Sequence, residues 1–174
     1  YKVIVTGLGG RGPQGLLVYG DNLYAVGGDG VQLYSGYESG DALKHQGRLG
    51  ARFNTGGDHA AHTLLRGFDG YVYLVTGDGG GVKDRTHITE ETSPVLFERA
   101  ASVFRFDQSG TRWECVSTVS RNPPSCGMNY LGEFFSCPFF TSVYAAYAVG
   151  VTLGVCRAVP HNHHNTVPAS RTQY

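Results

Sequence analysis

The residues best suited to chemistry fall in two glycine-rich runs, Gly56-Gly-Asp-His-Ala-Ala-His62 and Gly77-Asp-Gly-Gly-Gly81. Between them lie an apolar run from Leu64, the turn Gly67-Phe-Asp-Gly70, and a second apolar run ending at Thr76. That pattern predicts an antiparallel hairpin. In a hairpin the residue before the first strand and the residue after the second finish at the same end. The spacing therefore predicts that His59 and Asp78 are neighbours at one rim. A carboxylate beside an imidazole fixes its tautomer and raises its basicity, which suits a general base. Taken alone, such a pair more often caps a turn. His62 fits the start of a strand and reads as a packed or turn-bonding histidine. A zinc site made of Asp58, His59 and His62 would lack the helix that normally sets such ligand spacing.

The elements that position these residues repeat along the chain. Gly15 to Gly28 and Leu64 to Gly77 both read as strand, tight turn, strand, and a third copy begins near Gly127 and runs to Phe135. Further strand material follows at Gly30 to Ser35, and at Ala101 to Asp107 and Arg112 to Thr118 around the turn Gln108-Ser-Gly110. Units of roughly 40–60 residues, each of about four strands, suggest propeller blades. The expected fold is all-β, an incomplete β-propeller of two to three four-stranded antiparallel blades. Asp78 to Arg99 reads as a polar insertion at one rim, where sites are built. Arg11-Gly-Pro13 and Arg121-Asn-Pro123 each place an arginine and a proline before a hairpin. Because proline fixes φ, a structural role alone would explain both copies.

Composition supports many short strands joined by turns: 26 of the 174 residues are glycine and 11 are tyrosine. Fourteen Lys and Arg balance 14 Asp and Glu, so no net field draws the chain to nucleic acid or an acidic membrane. Cys115, Cys126, Cys137 and Cys156 fit no zinc spacing. Disulfides and free buried thiols both remain open. The chain begins at Tyr1 without an initiator Met or a signal segment, and reads as a processed product or a fragment. His161, His163 and His164 sit in a polar stretch that reads as a solvated tail rather than a metal site.

The ordered motifs resemble the soluble glucose/sorbosone dehydrogenases that use pyrroloquinoline quinone (PQQ). The resemblance rests on Arg11 to Leu16, on the run from Gly56 through His59 to Asp78, and on Arg121 to Phe135. It covers about residues 10–135, and runs without a gap from His59 to Asp78. It implies that His59 takes the proton from the substrate hydroxyl, and that Asp78 orients His59. It further implies that Arg121 and Asn122 bind PQQ, with a calcium ion on the cofactor held largely by backbone oxygens. A guanidinium beside a quinone would stabilise the negative charge that develops on its oxygens. The implied substrate is a sugar or a related alcohol or aldehyde, the implied electron acceptor a cytochrome or dye, and the implied location periplasmic or secreted.

The resemblance ends at Phe135, dividing the chain into a propeller-like part, 1–135, and an unmatched part, 136–174. Three readings of the second part stand side by side. One is a change of reading frame. Another is a membrane-spanning helix over 134–156, a stretch of 23 residues without charge. The third is a pair of buried strands, favoured by the Val, Tyr and Thr content from Val143 to Val155. Two other functions also stay open. A binding or scaffolding propeller would keep the hairpins without the cofactor. A lactonase-type hydrolase would need carboxylate metal ligands converging on the propeller axis, which residues 1–135 do not obviously provide.

Overall fold

The computed structural model describes residues 5–8, 13–40, 42–84, 87–88, 102–118, 125–137, 143–148 and 156–160. All regular elements among them are β-strands. In chain order these are β1 (Gly15–Tyr19), β2 (Asn22–Gly27), β3 (Gly30–Ser35), β4 (Lys44–Phe53), β5 (Ala61–Arg66), β6 (Val72–Thr76) and β7 (Val82–Asp84). They continue with β8 (Ser102–Phe106), β9 (Trp113–Thr118), β10 (Ser125–Met128), β11 (Glu133–Cys137), β12 (Val143–Ala148) and β13 (Cys156–Pro160). They form three antiparallel sheets in the orders β1-β2-β3-β4-β7, β5-β6-β8-β9 and β10-β11-β12-β13. None of the three closes on itself.

The tight connections have a common chemistry. Gly20, Gly28, Gly70, Gly110 and Gly132 all take positive φ, a conformation that a side chain would strain. Neighbouring acids and amides then hold the turns. Asp69 accepts from the Tyr71 amide, and Asn129 Oδ1 from the Leu131 and Glu133 amides, each within 3.2 Å.

The period-2 alternation of each strand divides its side chains between two neighbouring layers. From β6, Val72 and Leu74 join Tyr24, Val31, Phe53, Phe104 and Trp113 in a core between the first and second sheets. Tyr73 and Val75 join Val103 and Phe134 between the second and third. A strand buried on both faces reads as a continuous apolar run, as β6 does. Aromatic contacts knit the first interface: Phe53 meets Phe104 edge-on at 5.1 Å and Trp113 at 5.4 Å. Tyr73 stacks on Phe134 at 5.3 Å across the second. The outer face of the first sheet carries a smaller cluster, Leu23, Ala25 and Tyr34, covered by Leu8.

The leading strands of the three sheets also come together. β1 packs beside β5, and β5 beside β10. The approach at β1 is so close that a Cβ on Gly15 would overlap the carbonyl oxygen of His62.

Two sequence expectations need restating. The first sheet has five strands rather than four. Part of the insertion after Asp78 forms β7, which pairs with β4 through Arg52↔Asp84 and Phe53↔Val82. Pairing Val82 and Asp84 on an open sheet edge satisfies backbone groups that a loose loop would leave to water. The membrane-helix reading of 134–156 is replaced by strands where that run is described: β12 pairs with β11 on one side and β13 on the other. Valine and tyrosine at Val143, Tyr144 and Tyr147 favour extended backbone. Among the described residues no helix is long and apolar enough to cross a membrane. The third sheet continues through residue 135, where the resemblance stops, as the reading of that stretch as strands expects. Neither Cys115 nor Cys126 forms a disulfide.

Candidate functional site

Two connections meet at one end of the second sheet. Residues 54–60 lead from β4 into β5, and residues 77–81 leave β6. Their backbones are tied directly. Gly77 N–H donates to the Ala60 carbonyl at 3.0 Å, Asn54 N–H to Gly81 at 3.2 Å, and Ala61 N–H closes the first loop on Asn54 at 2.9 Å. The loops approach so closely that a Cβ on Gly80 would lie 2.8 Å from backbone atoms of Ala60 and Ala61. On Gly79 it would lie 3.1 Å from the His59 carbonyl oxygen. Glycine at 80 is thus a condition of the packing, and a side chain at 79 would need its neighbour to give by a few tenths of an ångström.

This arrangement brings His59 and Asp78 together, as hairpin geometry predicts. His59 Nδ1 hydrogen-bonds Asp78 Oδ1. A carboxylate only accepts, so the shared proton sits on Nδ1 and leaves the lone pair on Nε2. Among the described residues nothing else hydrogen-bonds the His59 ring. The two side chains are 39% and 43% exposed, so the pair opens to solvent rather than serving the core. A Cβ at Gly57 would meet nothing within 4 Å, which leaves space beside the loop. The pair is therefore able to take a proton at Nε2 from a group arriving at the rim.

Asn54 was not legible as a site residue, yet it holds both loops. Its Nδ2 donates to the Gly79 carbonyl at 2.6 Å, and its Oδ1 accepts from Gly56 N–H at 3.2 Å. One side chain thereby fixes the backbone before His59 to the backbone after Asp78. Thr55 adds a bond to the Gly28 carbonyl at 2.6 Å, anchoring the His59 loop to the first sheet. Such links run from a side chain to a carbonyl 25 or more residues away and leave no local pattern in the sequence.

His62 stands apart from the pair. It is buried in β5, with its Nδ1 accepting from the Thr63 amide at 3.0 Å. Arg121 and Asn122, with Arg11, fall outside the described residues. The described chain reaches Thr118, which pairs with Ser102, which in turn pairs with Thr76, two residues before Asp78. Among the described residues no three His, Cys, Asp or Glu side chains group as metal ligands.

No family model matches the sequence, and no curated protein matches it. Among solved structures the chain is similar to an ulvan lyase of polysaccharide lyase family PL25, bound to -[GlcA(1-4)Rha3S]-. The identity is 14% and the TM-score 0.49, over 83% of this chain and 36% of that one. The chain thus spans little more than a third of that protein's length.

Proposed function

We propose that the chain is part of a PQQ-dependent dehydrogenase that oxidises a sugar or a related alcohol or aldehyde, with His59 as its base. The observation that carries this reading is the bond from His59 Nδ1 to Asp78, which leaves Nε2 as an unengaged acceptor at an open rim. The all-β architecture agrees with it. Three sheets stacked in chain order, with their leading strands side by side, support reading them as consecutive propeller blades.

The residues present fit the base role. Nε2 is free to receive a hydroxyl proton, and the carboxylate of Asp78 keeps the ring in the required tautomer and stabilises the imidazolium that forms. Asn54 and the glycines hold the two loops in register, so little reorganisation accompanies proton transfer. On this reading Arg121 and Asn122, ahead of the third sheet, hold the cofactor. PQQ, when bound with calcium, supplies the hydride acceptor and the redox chemistry. A periplasmic or secreted location and a cytochrome-type electron acceptor belong to the same proposal.

Titration of the full-length gene product with PQQ and Ca²⁺, followed by cofactor absorbance, tests it. Saturable binding that weakens in Arg121→Ala but persists in His59→Ala is the expected pattern. Absence of binding in the wild-type protein would sink the proposal.

A further inference from the structure

The end of the second sheet opposite His59 carries a separate concentration of functional groups. β5 runs away from the His59 loop to Arg66, and the turn Gly67–Gly70 leads back along β6. A depression of about 530 Å³ lies there, lined by Tyr19, Arg66, Gly67, Phe68, Asp69 and Gly70. That volume is within the range of small-molecule sites.

Its charge is unbalanced in a specific way. The Arg66 guanidinium lies over the Tyr19 ring, 3.9 Å from the centroid, which holds the fork flat. Among the described residues Arg66 makes no hydrogen bond or ion pair. Asp69 lines the same depression, but its oxygens are engaged elsewhere. Oδ1 accepts from the Tyr71 amide at 3.2 Å, and Oδ2 accepts from the Tyr73 hydroxyl at 2.7 Å and from Arg105 at 3.2 Å. Arg105 also holds Glu114 at 2.6 Å, and Arg112 holds the same carboxylate at 2.6 Å, so Asp69, Arg105, Glu114 and Arg112 balance one another and the positive charge of Arg66 is left for a ligand. Phe68 adds an apolar ring that is 73% exposed. Its turn is fixed by Gly67 N–H to Tyr71 at 2.8 Å and Gly70 N–H to Gly67 at 3.3 Å. An exposed ring on a fixed turn beside an unengaged guanidinium forms a two-point recognition surface.

We propose that this depression binds a carboxylate carried on a flat ring, the carboxylate taking two N–H groups of Arg66 and the ring lying against Phe68. A single guanidinium fork matches one carboxylate bidentately. A phosphate dianion would ask for a second cation, and the lining residues hold none. The site is at the far end of the sheet from His59 and does not depend on the dehydrogenase reading.

The test is a titration of the ¹⁵N-labelled full chain with benzoate and with cyclohexanecarboxylate, following the Arg66 Nε–H and Phe68 amide resonances. Benzamide and cyclohexanecarboxamide serve as uncharged controls. Saturable shifts with a carboxylate and none with its amide are expected. Tighter binding of benzoate is expected, and equal or tighter binding of its saturated analogue would overturn the flat-ring assignment. Arg66→Gln should weaken binding roughly 10- to 100-fold, the worth of a charge-assisted bond. Phe68→Ala should weaken it about three- to tenfold. Arg66→Lys, which keeps the charge and loses the fork, should fall between wild type and Arg66→Gln. Thermal melts of each variant establish that the fold is retained. No saturable shift with either carboxylate, equal binding of the amides, or unchanged affinity in Arg66→Gln and Phe68→Ala would overturn the proposal.

Discussion

Asp78 engages one nitrogen of His59, and on the proposed reading the other nitrogen is the one that meets a substrate. Asp78→Asn should therefore act through the ring's tautomer. An amide at that position is able to donate to Nδ1, and the proton would move towards Nε2, abolishing the acceptor. Imidazole ¹⁵N spectra should show Nδ1–H in the wild type and a shift towards Nε2–H in the variant. An unchanged tautomer would mean that the carboxylate does not govern the ring. Asn54→Ala removes the bond to Gly79 and should cost about 1 kcal/mol of stability, measured by denaturant unfolding. It should also broaden the same His59 resonances as the two loops lose register. A different group reports on burial. Loss of solvent pushes the Cys126 thiol up to about 12 from its ordinary 9.0. The folded chain keeps a proton that the unfolded chain releases above pH 9. The contribution to stability is whole below pH 9 and is lost as pH rises towards 12. Denaturation midpoints measured across that window should fall, and should fall less in Cys126→Ala.

At the scale of elements, close approach separates glycines that must be glycine from those that need only a turn. Gly15→Ala drives a methyl group into the His62 carbonyl and should force β1 away from β5, costing about 1–3 kcal/mol. At Gly20, where φ is +58° and nothing lies within 4 Å, the same change meets only backbone strain. It should cost about 1–2 kcal/mol. Thermal melts of the two variants separate the cases, and a Gly15→Ala protein as stable as wild type would contradict the contact. The hairpins themselves were legible in the sequence because glycine and aspartate punctuate alternating apolar runs. The pairing of His59 with Asp78 followed from the same pattern, since hairpin ends meet whatever the strand lengths. β7 was not legible, because three residues in a polar insertion carry no periodicity and gain their structure from the exposed edge of β4. Asn54 was hidden for a related reason: its partner is a backbone carbonyl, which has no identity in sequence.

For the whole molecule, sheet stacking couples distant parts of the chain. Trp113, the single tryptophan, is buried between the first and second sheets, while Cys126 packs between the second and third. If the stack is one cooperative unit, Trp113 fluorescence and Cys126 reactivity towards a thiol reagent should change at the same denaturant concentration. Two separated transitions would show that the third sheet unfolds on its own. The all-β class could be read from composition and repeats, whereas the continuation of the third sheet past residue 135 could not. There the familiar motifs stop, and an uncharged run is equally compatible with a helix or with strands until pairing decides. The most direct test of the functional reading is dye-linked oxidation of a panel of aldoses by the full-length gene product loaded with PQQ and Ca²⁺, comparing wild type with His59→Ala. The expected result is turnover in the wild type and a loss of about 100- to 10,000-fold in the variant, with PQQ binding retained. Turnover in His59→Ala equal to that of the wild type would contradict the assignment of His59 as the base.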